Sequence, residues 1–236
     1  MTTHPVVSRE QWTAARRAHL AREKELTRLR DELSAERRAL PWVRVEQDYR
    51  FQTPDGEASL ADLFAGRSQL IVYHFMLGAD WDEGCKSCSF WADNFQDIDV
   101  HLAARDVTLI AVSSAPLPRI EAFRKRMGWT HRWVSCAGST FNQDYHVSFG
   151  PAQRHDGEIE YNYRTIKSSM TELPGVSVFF RDADGTVYHT YSCYARGLDM
   201  LNGAYHYLDL VPKGRDESGP HAMSWVRLHD SYGAGA

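Results

Sequence analysis

Two near-continuous apolar runs, QLIVYHFML (Gln69–Leu77) and VTLIAVS (Val107–Ser113), set the first limit on what this chain can become. Both are rich in β-branched and aromatic residues. Runs of this length and composition make strands buried on both faces of a sheet. Each is followed by helical spacing. After the first, Cys88, Trp91, Phe95, Ile98 and Leu102 recur on one face and predict a single helix. After the second, Pro116 and Pro118 open a helix with Ile120, Phe123 and Met127 inward, and Gly128 ends it. RWVSC (Arg132–Cys136) is a short third strand, and LPGVSVFFRDADGTVYHTY reads as a strand, an Asp-Gly turn and a strand. A helix is expected from Gly197 to Leu210. The order β-α-β-α-β, then β-β-α, predicts an α/β fold whose central mixed sheet is flanked by helices.

Three pieces lie outside this frame. Ser8 to Leu40 contains neither Gly nor Pro, has capping-box spacing at Ser8 and Gln11, and stops at Pro41. It predicts one long helix in an N-terminal arm, residues 1–45. Leu26, Leu29, Leu33 and Leu40 form a narrow apolar stripe. The stripe suits a solvated helix docked on the domain, or a homodimerisation arm with short coiled-coil character. The body is expected over 46–215, opening with YRFQTPDGEASLADLF as strand, turn, strand and short helix. Residues 141–173 show no sustained period and read as an irregular insertion before the last hairpin. Residues 216–236 form a polar tail, which Trp225, Val226 and Leu228 are expected to dock.

Bulk properties exclude several classes. Lys and Arg number 27 against 31 Asp and Glu, a net charge of −4, which argues against a dedicated nucleic-acid or anionic-membrane partner. No apolar run approaches bilayer length, and MTTHPVVSREQW lacks a signal-peptide core. A cytoplasmic location is expected. Four cysteines in 236 residues do not make a disulfide framework.

The chemistry concentrates in HFMLGADWDEGCKSCSFWADNF (His74–Phe95). Cys85 and Cys88 fall where a buried strand gives way to a helix. Free N–H groups at a helix start stabilise a thiolate. Cys85 is therefore the expected nucleophile, and Cys88, one turn in, the resolving thiol. Lys86 would favour the thiolate, whereas Asp80, Asp82 and Glu83 would oppose it. Trp81 is a candidate for a substrate groove beside Cys85. Such a dithiol needs no cofactor and would act on a protein or small-molecule thiol, disulfide or peroxide. A second reading makes the pair half of a copper or zinc site completed by a histidine, His146 first, with His74, His155 and His189 also eligible. A third leaves both as inert core thiols in a non-catalytic interaction module. Cys136 and Cys193 read as core cysteines, and Arg154, Arg164 and Arg181 would suit either an anionic ligand or a solvated face.

The element order, the Cys-x-x-Cys at a strand-to-helix junction and the proline before the hairpin together resemble the thioredoxin-like superfamily. PDGEASLADLF followed by QLIVYHF resembles its peroxiredoxin-type opening. HFMLGADWDEGCKSCSFWAD, RMGWTHRWVS, LPGVSVFFRD and YARGLDMLNGAYHYLDLVPKGRDE are similar to the bacterial domain-of-unknown-function family 899. Its members are often labelled dithiol-disulfide oxidoreductases. The resemblance implies a thioredoxin-like fold, places Cys85 and Cys88 at the dithiol, and matches Pro174 to a proline that is cis and faces the dithiol. Thioredoxin's Trp-Cys-Gly-Pro-Cys is Gly-Cys-Lys-Ser-Cys here, and the peroxiredoxin Pro-x-x-x-Thr-x-x-Cys is absent.

Overall fold

The computed structural model describes residues 4–233. Two compact units make up the chain, Met1–Pro41 and Trp42–Ala236. The first is carried by α1 (Arg9–Arg38). Its capping box is formed as the spacing predicts: Gln11 N–H donates to Ser8 Oγ at 3.2 Å and Ser8 N–H to Gln11 Oε1 at 3.0 Å. None of its residues is buried.

The second unit runs β1 (Val43–Arg44), β2 (Arg50–Thr53), β3 (Gly56–Ser59), α2 (Leu60–Leu63), β4 (Gln69–His74), α3 (Lys86–Ala92), α4 (Asp99–Ala103), β5 (Val107–Ser113), α5 (Leu117–Arg126), β6 (Arg132–Ser135), α6 (Phe141–Asp144), β7 (Glu158–Tyr161), β8 (Arg164–Lys167), β9 (Gly175–Arg181), β10 (Val187–Tyr194) and α7 (Gly203–Leu208). Eight strands form one sheet in the order β1-β10-β9-β4-β5-β6-β2-β3. β4, β5 and β6 are parallel, and the other pairs are antiparallel. With β4-α3-β5 leading into β9-β10-α7, and β9 antiparallel to β4, the arrangement is thioredoxin-like.

Alternation along the central strands divides the core. Leu70, Val72, Ile110, Val112 and Phe179 pack on one face with Phe64 and Phe141. Tyr73, Phe75, Ala111 and Trp133 pack on the other with Cys88, Trp91, Ile120 and Phe123. β4 is thus buried on both sides, as its unbroken apolar run requires.

Three expectations need correction. The helix expected to run through Leu102 is two helices, α3 and α4, and Ile98 is exposed. Asp97 takes a left-handed backbone (φ +62°), which no continuing helix accommodates. The helix expected from Gly197 to Leu210 is a 3₁₀ segment, Ala195–Leu201, followed by α7. Asn202 restarts the chain by accepting Tyr205 N–H on Oδ1 at 3.2 Å. The insertion is more ordered than its sequence suggests. It holds α6, a 3₁₀ turn at Pro151–Gln153 and the β7–β8 hairpin. That hairpin turns on Asn162 and Tyr163, both at positive φ (54° and 59°), the conformation of a type I′ turn with tyrosine where glycine is usual.

Candidate functional site

β4 delivers the chain to the site, and the loop after it folds back onto its own end. Cys85 N–H donates to Met76 O at 3.0 Å, and Met76 N–H points to Cys88 Sγ at 3.4 Å. The chain therefore passes the same residue twice, and both sulfurs are positioned from Met76. Gly84 makes this return possible. A Cβ there would lie 2.5 Å from the Phe123 ring and 2.7 Å from that of Phe75. Arg119 secures the loop by donating to Ala79 O (2.7 Å) and Trp81 O (2.9 Å). Glu83 is paired with Arg126, which also holds Asp230 at 2.8 Å.

Cys85 caps α3 and is half-buried, whereas Cys88 is buried in the core. Hydrogen bonding from Cys88, first its thiol and then its N–H, together with Ser87, holds the Cys85 thiol down at about 6, although burial opposes this. Cys88 is pushed well above the ordinary thiol range, first by burial and then by Cys85. The two thiols are thus pushed in opposite directions. Tyr73, fully buried on β4, is hydrogen-bonded to Cys88 and is kept a phenol by its burial.

A cavity of about 240 Å³ opens beside Cys88, walled by Tyr73, Met76, Trp91, Pro174, Leu198 and Met223. Pro174 joins the site, but among the described residues no peptide bond is cis. The expected cis proline is thus corrected to trans, the form X-Pro bonds favour intrinsically. Its flanks are tied in that form. Leu173 N–H donates to Val147 O at 2.8 Å, and Tyr161 Oη donates to Pro174 O at 2.7 Å. Trp81 packs over Gly78 and is not a wall of this cavity. Lys86 Nζ donates to Ser224 O at 3.1 Å and is not among the groups that lower Cys85.

Lys86 reaches the C-terminal segment, which sequence periodicity left as a tail. Glu217 Oε1 accepts from Tyr205 Oη (2.6 Å), Met223 N–H (3.0 Å) and Trp225 Nε1 (3.3 Å). Trp225 packs edge-on to Phe90 of α3, Val226 is buried, and His229 Nδ1 meets the Asp93 carboxylate at 2.6 Å. The segment clasps α3, and Met223 closes one side of the cavity.

The alternative metal ligands are not brought together. His146 lines a separate cavity of about 420 Å³ with Gln143, His155, Glu158 and Glu160. Among the described residues, no group of three or more His, Cys, Asp and Glu is placed to hold a metal ion. His74 is buried, its Nδ1 on Asn142 Oδ1 and its Nε2 on Ser177 Oγ, both at 2.9 Å, and burial brings it down to about 4. His189 Nε2 lies 2.7 Å from Ser192 Oγ. Cys136 is buried and pushed up to about 12 by that burial, an inert thiol. Cys193 is buried in the same cluster as Cys88. Arg154 and Arg181 are engaged with backbone carbonyls, and Arg164 is exposed.

The structure places Pro174, expected from the resemblance, at the same cavity as Cys88, together with Tyr73, Met76 and Met223, which sequence reasoning did not single out, as it did not single out Gly84. The Gly immediately before Cys85 was the one local signal available. Tyr73 could be placed only once the strand's facing was known.

No curated protein matches this sequence. Among solved structures, the peroxidoxin BcpB of Mycobacterium tuberculosis is similar at 14% identity over 69% of this chain and 92% of that one, with a TM-score of 0.44. A peroxiredoxin Q of Xanthomonas campestris is similar at 13% identity over 67% and 90%, with a TM-score of 0.42. A yeast mitochondrial 1-Cys peroxiredoxin is similar at 16% identity over 67% and 73%, with a TM-score of 0.38. Among the described residues no helix is long and apolar enough to cross a membrane. The family whose model matches residues 1–232 is described as "Bacterial protein of unknown function (DUF899)", and this chain belongs to it.

Proposed function

We propose that the protein is a cytoplasmic thiol-disulfide oxidoreductase. The observation that carries this reading is the asymmetry of the dithiol. A half-buried Cys85 held at about 6 sits beside a buried Cys88 that hydrogen-bonds to it and is pushed the other way. At neutral pH the outer sulfur is a thiolate and the inner one a thiol, as a two-step exchange requires.

The Cys85 thiolate attacks one sulfur of a substrate disulfide. A Cys85–substrate bond forms, the substrate S–S bond breaks, and the first thiolate leaves and takes a proton from water. Cys88 then loses its proton to solvent and attacks Cys85 Sγ. This expels the second thiolate and leaves a Cys85–Cys88 disulfide. Two electrons have passed from the dithiol to the substrate, and the reverse sequence oxidises a substrate dithiol. Tyr73 stabilises the charge that develops on Cys88 by donating to it. On a hydroperoxide, the same thiolate would take the terminal oxygen as sulfenic acid while the O–O bond breaks and the alkoxide leaves, taking a proton from water; Cys88 would then displace water to form the Cys85–Cys88 disulfide. The partner is a thiol-, disulfide- or peroxide-bearing protein or small molecule, and self-association through α1 belongs to the same reading.

The test is equilibration in a glutathione series, blocking of free thiols and peptide mapping by mass spectrometry. The expected outcome is a reversible Cys85–Cys88 disulfide with a midpoint between about −320 and −220 mV. Cys88→Ser should accumulate a glutathione adduct at Cys85, and Cys85→Ser should give neither species. A pair that stays reduced across the series overturns the mechanism.

A further inference from the structure

The leucine stripe of α1 belongs to a second pattern. With Leu26 as the first position of a seven-residue frame, Leu29 takes the fourth position and Leu33 the first of the next repeat, and Leu40 lies beyond the end of α1 at Arg38. Trp12 and Ala15 hold the same two positions near the start. Trp12, Leu26, Leu29 and Leu33 are between 48% and 66% exposed, so the apolar residues of the seam are uncovered. One flank of the seam carries Glu25 and Glu32, and the other carries Arg30 and Arg37. Glu25, Arg30 and Glu32 are exposed, and Arg37 is half-buried; Arg37 already has a contact of its own, and Glu25 also meets Arg22 of its own helix at 3.3 Å, so pairing with a second copy would exchange these contacts.

These flanks discriminate between pairing modes. In a parallel, in-register pair, each residue on the first flank faces the residue five positions further along the other helix. Glu25 then faces the partner's Arg30, and Glu32 faces the partner's Arg37, each contact occurring twice by symmetry. An antiparallel pair sets Glu against Glu and Arg against Arg. A partner with no such flank gains the leucines alone. We propose that α1 associates with α1 of a second copy of this chain, parallel and in register, as a two-stranded coiled coil. His19, Arg22 and Glu36 occupy seam positions in the same frame and keep the association weak and concentration-dependent.

This arrangement rests on self-association through α1 and is independent of the dithiol chemistry. Sedimentation equilibrium of the full chain tests it. The native chain shows a monomer–dimer equilibrium, and Glu36→Leu tightens it about tenfold. The double variant Glu25→Arg with Glu32→Arg and the double variant Arg30→Glu with Arg37→Glu each weaken the dimer at least about tenfold. An equimolar mixture of the two restores it. A Glu36→Cys chain links to its own copy through position 36 under mild oxidation, as peptide mapping reads. A chain that stays monomeric throughout, Glu36→Leu included, ends self-association. Dimers that ignore the charge changes, or never link through position 36, end the parallel arrangement and leave self-association standing.

Discussion

Two neighbouring residues of β4 show how differently the sheet's faces treat a polar group. Tyr73 faces Cys88 and borders the cavity. His74, on the opposite face, lies in a closed chain of hydrogen bonds. Because the Asn142 amide oxygen only accepts, His74 Nδ1 carries the proton and Nε2 accepts from Ser177. Ser177 in turn accepts from Ser192, and Ser192 from His189 Nε2–H. His74 titrates far from its ordinary value, as Cys85 does, yet both its ring nitrogens are partnered and it lies within ring-contact distance of Phe141 and Tyr145. Cys85 combines a perturbed pKa with partial exposure. A shifted pKa marks a reactive group only where a substrate can reach it.

The largest expected effect comes from acid, which reaches one buried histidine on each face. Burial holds both His74 and His131 at about 4 in the folded protein, against an ordinary 6.5. The unfolded chain takes up these protons first. Neither histidine opposes folding by protonation above pH 6.5, and the folded state loses about 3 kcal/mol for each as pH falls from 6.5 through 4. Urea midpoints between pH 7 and pH 4 should fall steeply. His74→Ala should cost about 3 kcal/mol at pH 7 through the cavity and the unpaired Asn142 and Ser177, and should reduce that slope. The same variant should leave the pH midpoint of Cys85 alkylation near 6; a shift of a full unit would mean that the two faces are coupled.

Gly84→Ala strikes the open face and should cost about 2 kcal/mol, because neither Phe75 nor Phe123 has room for a methyl group. Cys85 alkylation in this variant should lose its low midpoint as the return to Met76 is disturbed. His131→Phe should change stability in the opposite direction. Both ring nitrogens of His131 are buried without a partner, between Trp129, Trp133 and Phe95. An apolar ring there should raise stability by about 1 kcal/mol at pH 7, read as a higher thermal midpoint. The smallest effect is expected from Lys86→Met. With the ammonium held on Ser224 O, its loss should move the Cys85 midpoint by less than about 0.3 units.

The parts of the molecule that were legible in the sequence are those with local causes. β5 follows its apolar run, α1 its capping box, and the dithiol its place between strand and helix. What escaped depends on groups distant in the chain. Asp93, the C-cap of α3, accepts from Trp129 Nε1 (2.8 Å) and meets His229 (2.6 Å), contacts that span more than thirty and more than a hundred residues. The β7–β8 hairpin hid because Asn-Tyr lacks the glycine that announces such turns. Cys-x-x-Cys spacing also suits a metal site, and only the placement of His146 in another cavity removed its expected third ligand.

The clasp over α3 has a consequence for biosynthesis. Glu217, Met223, Trp225 and Asp230 follow every strand of the sheet in chain order, so translation reaches them after the rest of the body has been made. Until they emerge, Lys86 lacks its carbonyl, the cavity lacks its Met223 wall and the Glu83–Arg126 pair lacks Asp230. A nascent chain would therefore expose its dithiol helix without the clasp. The ribosome-bound protein and the finished one would differ along α3 and at the cavity beside Cys88.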